Sequence, residues 1–114
     1  MSNEDRLQIS CARFLNLQYP KALWFHTPNG GSRNKIEGAK LKAMGTKKGV
    51  SDILIIERNK SFVGLAVELK ILPNRPTLEQ IEFLYQLKQR GWDTAVIYSI
   101  DAFIEKVIKY FENI

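Results

Sequence analysis

Apolar and polar residues follow two periods along this chain, one of about 3.6 residues and one of two, and together they divide it into helices and strands. Residues 3–18 carry Leu7, Cys11, Phe14, Leu15 and Leu17 at helical spacing. Asn3 is placed to cap that helix, Glu4 and Asp5 sit where the helix dipole favours anions, and Pro20 stops it. Residues 22–26 are a short apolar run and predict a strand, and Thr27-Pro28-Asn29-Gly30-Gly31-Ser32-Arg33-Asn34 predicts a loop. Residues 35–44 predict a short helix, with Ile36, Ala39, Leu41 and Met44 as an imperfect apolar side and Gly45 as its end. Residues 45–51 form a basic glycine loop. Residues 51–57 contain Ile53-Leu54-Ile55-Ile56, a continuous apolar run expected of a strand covered on both faces.

After a turn at Arg58-Asn59-Lys60, residues 62–70 predict the next strand, and Pro73-Asn74-Arg75-Pro76 a loop. Residues 77–90 carry the clearest helical signal: Leu78, Ile81, Leu84 and Tyr85 share a face, and Gly91 follows as the C-terminal cap. Residues 94–98 predict a buried strand, and residues 101–111 a closing amphipathic helix with Phe103, Ile104, Val107, Ile108 and Phe111. The order is helix, strand, short helix, strand, strand, helix, strand, helix. It predicts a single α/β domain over residues 1–114, a mixed central sheet flanked by helices.

Composition narrows the classes. Apolar residues are 45% and charged residues 25% of the 114, as in ordinary globular chains. With one cysteine, Cys11, and one histidine, His26, neither an internal disulfide nor a Cys/His zinc cluster can form. No apolar run approaches the roughly 20 residues of a membrane span. The N-terminal residues lack the basic-then-apolar plan of a signal peptide. The expectation is a chain with no membrane association in a reducing, cytoplasmic setting. The net charge of +5 favours a polyanionic partner. Arg33, Lys35, Lys40, Lys42, Lys47 and Lys48 lie beside Gly30, Gly31, Gly45 and Gly49, whose backbone can approach a phosphate closely. Such a set reads as phosphate positioning without base readout, or as a solvated face. Trp24 and Trp92 read as core or interface residues.

The chemistry concentrates at Val67-Glu68-Leu69-Lys70. In a strand Leu65, Val67 and Leu69 point one way, and Ala66, Glu68 and Lys70 the other. Glu68 and Lys70 are then neighbours about 6–7 Å apart. If the strand that follows Asp52 lies alongside, Asp52 and Glu68 converge, and two facing carboxylates repel unless a proton or cation lies between them. Oxygen ligands of this kind suit Mg²⁺ or Mn²⁺, with the Leu69 carbonyl as a further donor. A metal there could serve phosphodiester hydrolysis, with Lys70 orienting or deprotonating the attacking water or stabilising the transition state.

Gly49-Val50-Ser51-Asp52-Ile53-Leu54, then Glu68-Leu69-Lys70 with fifteen residues between Asp52 and Glu68, resembles the PD-(D/E)XK pattern, with Ser51 where the name has Pro. The resemblance sharpens to the VRR-NUC family through several further pieces. These are Glu4 with Gln8, His26-Thr27-Pro28-Asn29-Gly30-Gly31, Gly38-Ala39-Lys40-Leu41-Lys42 with Gly45, and Gln80 followed by Leu87 and Gly91. It covers nearly the whole chain and is closest to the short stand-alone type of phages and bacteria. The Val-Arg-Arg stretch that names the family is missing. The resemblance implies a restriction-endonuclease-like fold and a Mg²⁺- or Mn²⁺-dependent endonuclease acting on DNA. It implies metal ligation by Asp52, Glu68 and the Leu69 carbonyl, and catalytic roles for Asp52, Glu68, Lys70, Gln80 and Glu4. It also implies a homodimer acting on branched DNA such as a four-way (Holliday) junction. The expected DNA-binding residues are His26, Asn29, Ser32, Arg33, Lys40, Lys42, Lys47 and Lys48.

Plainer readings compete. Thr77-Leu78-Glu79-Gln80 is a capping box, so Gln80 can be a cap, a site residue or both. Glu4 can serve the helix dipole, and Gln8 can be a helix-face residue. Glu68 and Lys70 can be a solvated strand face, and His26 a hydrogen-bonded structural residue. At the level of function, the alternative is a non-catalytic nucleic-acid-binding module on the same fold.

Overall fold

The structure, a computed structural model, describes residues 1–28 and 35–114. Its elements follow the expected order: α1 (Asn3–Gln18), β1 (Trp24–His26), α2 (Lys35–Ala43), β2 (Ile53–Ile55), β3 (Leu65–Leu69), α3 (Leu78–Lys88), β4 (Asp93–Ile97) and α4 (Ile100–Glu112). Among the described residues the strands form one mixed sheet in the order β1-β2-β3-β4. β1 and β3 each pair antiparallel with β2, and β4 runs parallel to β3.

The register sorts the strand residues into two faces. Ile53 pairs with Val67, Ile55 with Leu65, Val67 with Ala95 and Leu69 with Ile97. These side chains share one face, and they form a core with Leu7, Cys11 and Leu15 of α1 and Phe103, Val107 and Tyr110 of α4. Each large apolar side chain fully removed from water there contributes about 1.5–3 kcal/mol. The opposite face carries Ala66, Glu68, Thr94 and Val96, and α3 covers it over β3 and β4. All five residues of β3 are therefore buried.

Several expectations need correction. The strand covered on both faces is β3, whereas in β2 only Ile53 and Ile55 are fully buried and Leu54 is half-buried. The reason is the position of α3, which lies over β3 and β4 and leaves the far side of β2 partly open. The cap of α1 is Ser2, not Asn3: the Ser2 hydroxyl accepts from the Asp5 amide at 3.0 Å, and the Asp5 carboxylate accepts from the Ser2 amide at 3.3 Å. The apolar stripe of α3 does not pack as a unit. Leu84 is buried, while Leu78, Ile81 and Tyr85 are 83%, 52% and 51% exposed. No residue of α2 is buried.

Two glycines serve close contacts. Gly49 has φ +79° and lies against the Glu79–Gln80 backbone, where a Cβ would collide. Gly64 lies under the Trp92 ring, so Trp92 packs internally as expected. Gly91, at φ +89°, turns the chain after α3. The Tyr110 hydroxyl donates to the Glu57 carbonyl at 2.6 Å and ties α4 to the turn after β2. Among the described residues no helix is long and apolar enough to cross a membrane.

Candidate active site

The end of β3, the residues entering β2 and the first turns of α1 and α3 meet in one cleft of about 420 Å³. Glu4, Asp5, Gln8, His26, Pro28, Asp52, Glu68, Leu69, Lys70 and Gln80 line it.

Asp52 immediately precedes β2, and continuing the Ile53–Val67 register by one step places it across from Glu68. Its side chain is held there, because Asp52 Oδ2 accepts from the Leu69 amide at 2.6 Å. Its carbonyl accepts from the Thr27 amide at 2.9 Å and lies 2.8 Å from His26 Nδ1. A carbonyl only accepts, so Nδ1 carries the proton and His26 Nε2 remains for another partner. His26 thus has a structural hydrogen bond and a place in the cleft at once.

Glu68 is 2% exposed. Gln80 Nε2 donates to Glu68 Oε2 at 3.2 Å, while Glu68 Oε1 is buried with no hydrogen-bond partner. Burial pushes the Glu68 carboxyl up to about 9, and a hydrogen bond to Asp52 and the Asp52 charge add to the rise. Lys70 opposes it, and Glu4 contributes weakly in the same direction as Asp52. Two carboxyl groups this close disfavour both being charged unless a proton or a cation lies between them. Glu4 is also raised, first by burial and then by Asp52, with Lys70 opposing and Asp5 adding a little. These interactions put Glu4 on the α1 side of the same group of charges.

Gln80 holds both roles its sequence allows. Its backbone amide donates to Thr77 Oγ1 at 3.2 Å, its Oε1 accepts from the Thr77 amide at 2.8 Å, and its Nε2 reaches Glu68. Lys70, half-buried at the end of β3, has its amide tied to the Ile97 carbonyl at 3.0 Å.

The structure brings together Glu4, His26, Asp52, Glu68, Leu69, Lys70 and Gln80. Lys40, Lys42, Lys47 and Lys48 are exposed on α2 and the loop after it and do not line the cleft. Asn29, Ser32 and Arg33 lie outside the described residues. Asp5, Gln8 and Pro28 line the cleft without having been among the expected site residues. Gln8 lies one turn after Glu4 on α1, and its Oε1 is buried without a partner. The signal was its i,i+4 spacing from Glu4, which any helix face can show.

Among the described residues no group of three or more His, Cys, Asp or Glu side chains is gathered as a metal-ligand cluster. The donor set that fits a cation is smaller: two carboxylates, one with an unpartnered buried oxygen, and backbone oxygen. Hard divalent cations that keep several waters accept so few protein ligands.

No family model and no curated protein matches the chain. A solved structure described as a VRR-NUC domain protein superposes on it with a TM-score of 0.84 and 26% sequence identity, over 99% of this chain and 91% of that one. This likeness over nearly the whole chain supports assignment to the VRR-NUC family. Its α/β sheet with flanking helices is the restriction-endonuclease-like fold, and a VRR-NUC domain is in general a nuclease domain. Agreement over 99% of the chain at 26% identity places the likeness in the arrangement of elements, which is the level at which β2, β3 and α3 form the cleft.

Proposed function

We propose that this VRR-NUC chain is a Mg²⁺- or Mn²⁺-dependent DNA endonuclease that hydrolyses phosphodiester bonds, selective for branched DNA of the four-way-junction type. One observation carries the reading: Glu68 Oε1 is buried and unpartnered beside Asp52, in a cleft that also holds Lys70. An unsatisfied buried acceptor costs about 1–3 kcal/mol, more when charged, and a cation between the two carboxylates would relieve that cost.

Asp52, Glu68 and the Leu69 carbonyl would hold the metal. When bound, it lowers the pKa of a coordinated water and neutralises charge on the phosphate. The other groups belong to the chain. Lys70, beside Glu68, orients the attacking water or stabilises the charge developing on phosphate oxygen. Gln80 holds Glu68, and Glu4 faces the same charges from α1. His26 Nε2 at the edge of the cleft, with Asn29, Ser32, Arg33, Lys40, Lys42, Lys47 and Lys48, supplies contacts to the DNA backbone, consistent with recognition of shape without base readout. The partner is then branched DNA. The exposed Leu78, Ile81 and Tyr85 on α3 support pairing of two copies, and a two-fold axis suits a symmetric junction. A short VRR-NUC chain with one free, buried cysteine fits the reducing cytoplasm of a bacterial host, as a phage or bacterial product.

A non-catalytic DNA-binding module would use the basic charge equally well, but it gives no reason to bury Glu68 against Asp52. The test is cleavage of a labelled four-way junction against a matched linear duplex, with Mg²⁺, Mn²⁺ or chelator, for the wild type and Lys70→Ala. Metal-dependent junction cleavage that Lys70→Ala abolishes is expected. Equal cleavage of both substrates removes the junction preference, and folded protein that binds but cleaves neither favours the module.

A further inference from the structure

We propose that Arg75, laid over the Tyr98 ring beyond the Lys70 end of the cleft, binds a backbone phosphate that neighbours the scissile one. The inference rests on the DNA-substrate reading above and deepens it, because it says where the strand runs past the site.

β3 and β4 run parallel with Leu69 beside Ile97, and the Lys70 amide donates to the Ile97 carbonyl at 3.0 Å. One further step of that register sets Tyr98 beside Lys70, roughly 5 Å away from backbone to backbone. Strand alternation puts the half-buried Tyr98 side chain on the face of Glu68 and Val96. Arg75 reaches the same place from the loop between β3 and α3: its guanidinium carbon lies 6.0 Å from the centre of the Tyr98 ring. The site anchors that loop at both ends. Lys70 opens it, and the Thr77–Gln80 capping box closes it. Between them the Asn74 amide donates to the Ile71 carbonyl at 3.0 Å, and Pro73 and Pro76 fix φ on either side of Asn74 and Arg75. Neither Arg75 nor Tyr98 lines the cleft, so the pair extends the site past it.

A guanidinium resting on an aromatic face keeps its charge and its in-plane N–H donors available. Among the described residues Arg75 has no carboxylate partner, and residues 69–78 contain no Asp or Glu. An exposed, unpaired guanidinium held in one place beside Lys70 suits a phosphate, which it can grip with two parallel N–H bonds. Every other DNA contact proposed above precedes Asp52 in the chain. Arg75 would hold the strand from the β4 side instead. The plainer alternative is a solvated arginine that rests on the nearest ring. On that alternative, losing Arg75 costs no more than losing any exposed positive charge.

The experiment is fluorescence anisotropy of a labelled four-way junction titrated with the full chain in chelator, over a series of salt concentrations. Chelator makes the result independent of the metal site. The proteins are the wild type, Arg75→Ala, Arg75→Lys, Tyr98→Leu, Tyr98→Phe and Lys60→Ala, with Tm recorded for each. Lys60, exposed in the turn past the other end of β2, is the control for loss of one positive charge. Arg75→Ala should reduce the slope of log K against log salt by about 0.9, the share of one phosphate, while Arg75→Lys and Lys60→Ala keep the wild-type slope. Tyr98→Leu should weaken binding about 2–5-fold, the weight of an exposed cation–π contact, and Tyr98→Phe should bind like the wild type. Arg75→Ala that matches Lys60→Ala in slope and affinity would overturn the inference, while salt-dependent binding by the wild type would still uphold the DNA reading. Wild-type affinity in both Tyr98 variants would overturn the part given to the ring. A wild type whose binding is absent or indifferent to salt overturns the DNA reading and this inference together.

Discussion

At the residue scale, Glu68 concentrates the cost of the site. Its carboxyl is buried at the end of a fully buried strand, beside a second carboxyl, with one oxygen unpartnered. Without a cation its charged form is disfavoured, first by burial, and the folded-state value rises from 4.5 to about 9. Between those two values the unfolded chain has released the Glu68 proton while the folded chain retains it, so stability falls as pH rises. Metal-free protein should therefore lose Tm as pH is raised from about 5 to 9, and saturating Mg²⁺ or Mn²⁺ should flatten or reverse that loss. Thermal melts with chelator and with metal across this range check it, and Glu68→Gln should remove the metal-free slope. Gly49→Ala tests the close approach of the Asp52 loop to α3. A non-glycine residue at φ +79° costs about 1–3 kcal/mol before the collision with the Glu79–Gln80 backbone is counted, and denaturant unfolding should show at least that loss. The meeting of Asp52, Glu68 and Lys70 was legible in the sequence through strand alternation, on the condition that the two strands pair, and through the resemblance that the fifteen-residue gap carries. Gln8 was quoted with Glu4 in the resemblance but given no place in the site, since a polar residue one turn from another resembles any solvated helix face until a cleft is seen in front of it.

At the scale of elements, the caps link local sequence to the site. The box at Ser2–Asp5 starts α1 where Glu4 can face the cleft, and the box at Thr77–Gln80 starts α3 against Glu68. Ser2→Ala should cost about 0.5–2 kcal/mol by denaturant unfolding, the usual value of such a cap. The order and type of the elements followed from periodicity, because each buries a recognisable face. Burial of β2 and α3 was harder to read. Continuous apolar runs suggest cover on every side, yet cover depends on which strands α3 lies over. The stripe Leu78, Ile81, Leu84 and Tyr85 looked like a core face, and only Leu84 of the four is buried.

At the scale of the molecule, the exposed part of that stripe and the basic α2 segment are the surfaces the proposed function would use. Ile81→Lys should turn a two-copy assembly into monomer by light scattering with little change in monomer stability, since Ile81 is half-exposed. A wild type that is monomeric at all concentrations would remove the paired-site reading. The central claim is that Asp52 and Glu68 hold a catalytic cation, and Asp52→Asn tests it most directly, because it replaces one carboxylate oxygen by nitrogen at nearly constant volume. The measurement is junction cleavage in Mn²⁺ beside junction binding in chelator, on the same preparations. The account predicts cleavage reduced by at least about 10³-fold, as for loss of a group that acts only in the transition state, with binding near wild type. Cleavage at wild-type rate by a folded Asp52→Asn protein would contradict it.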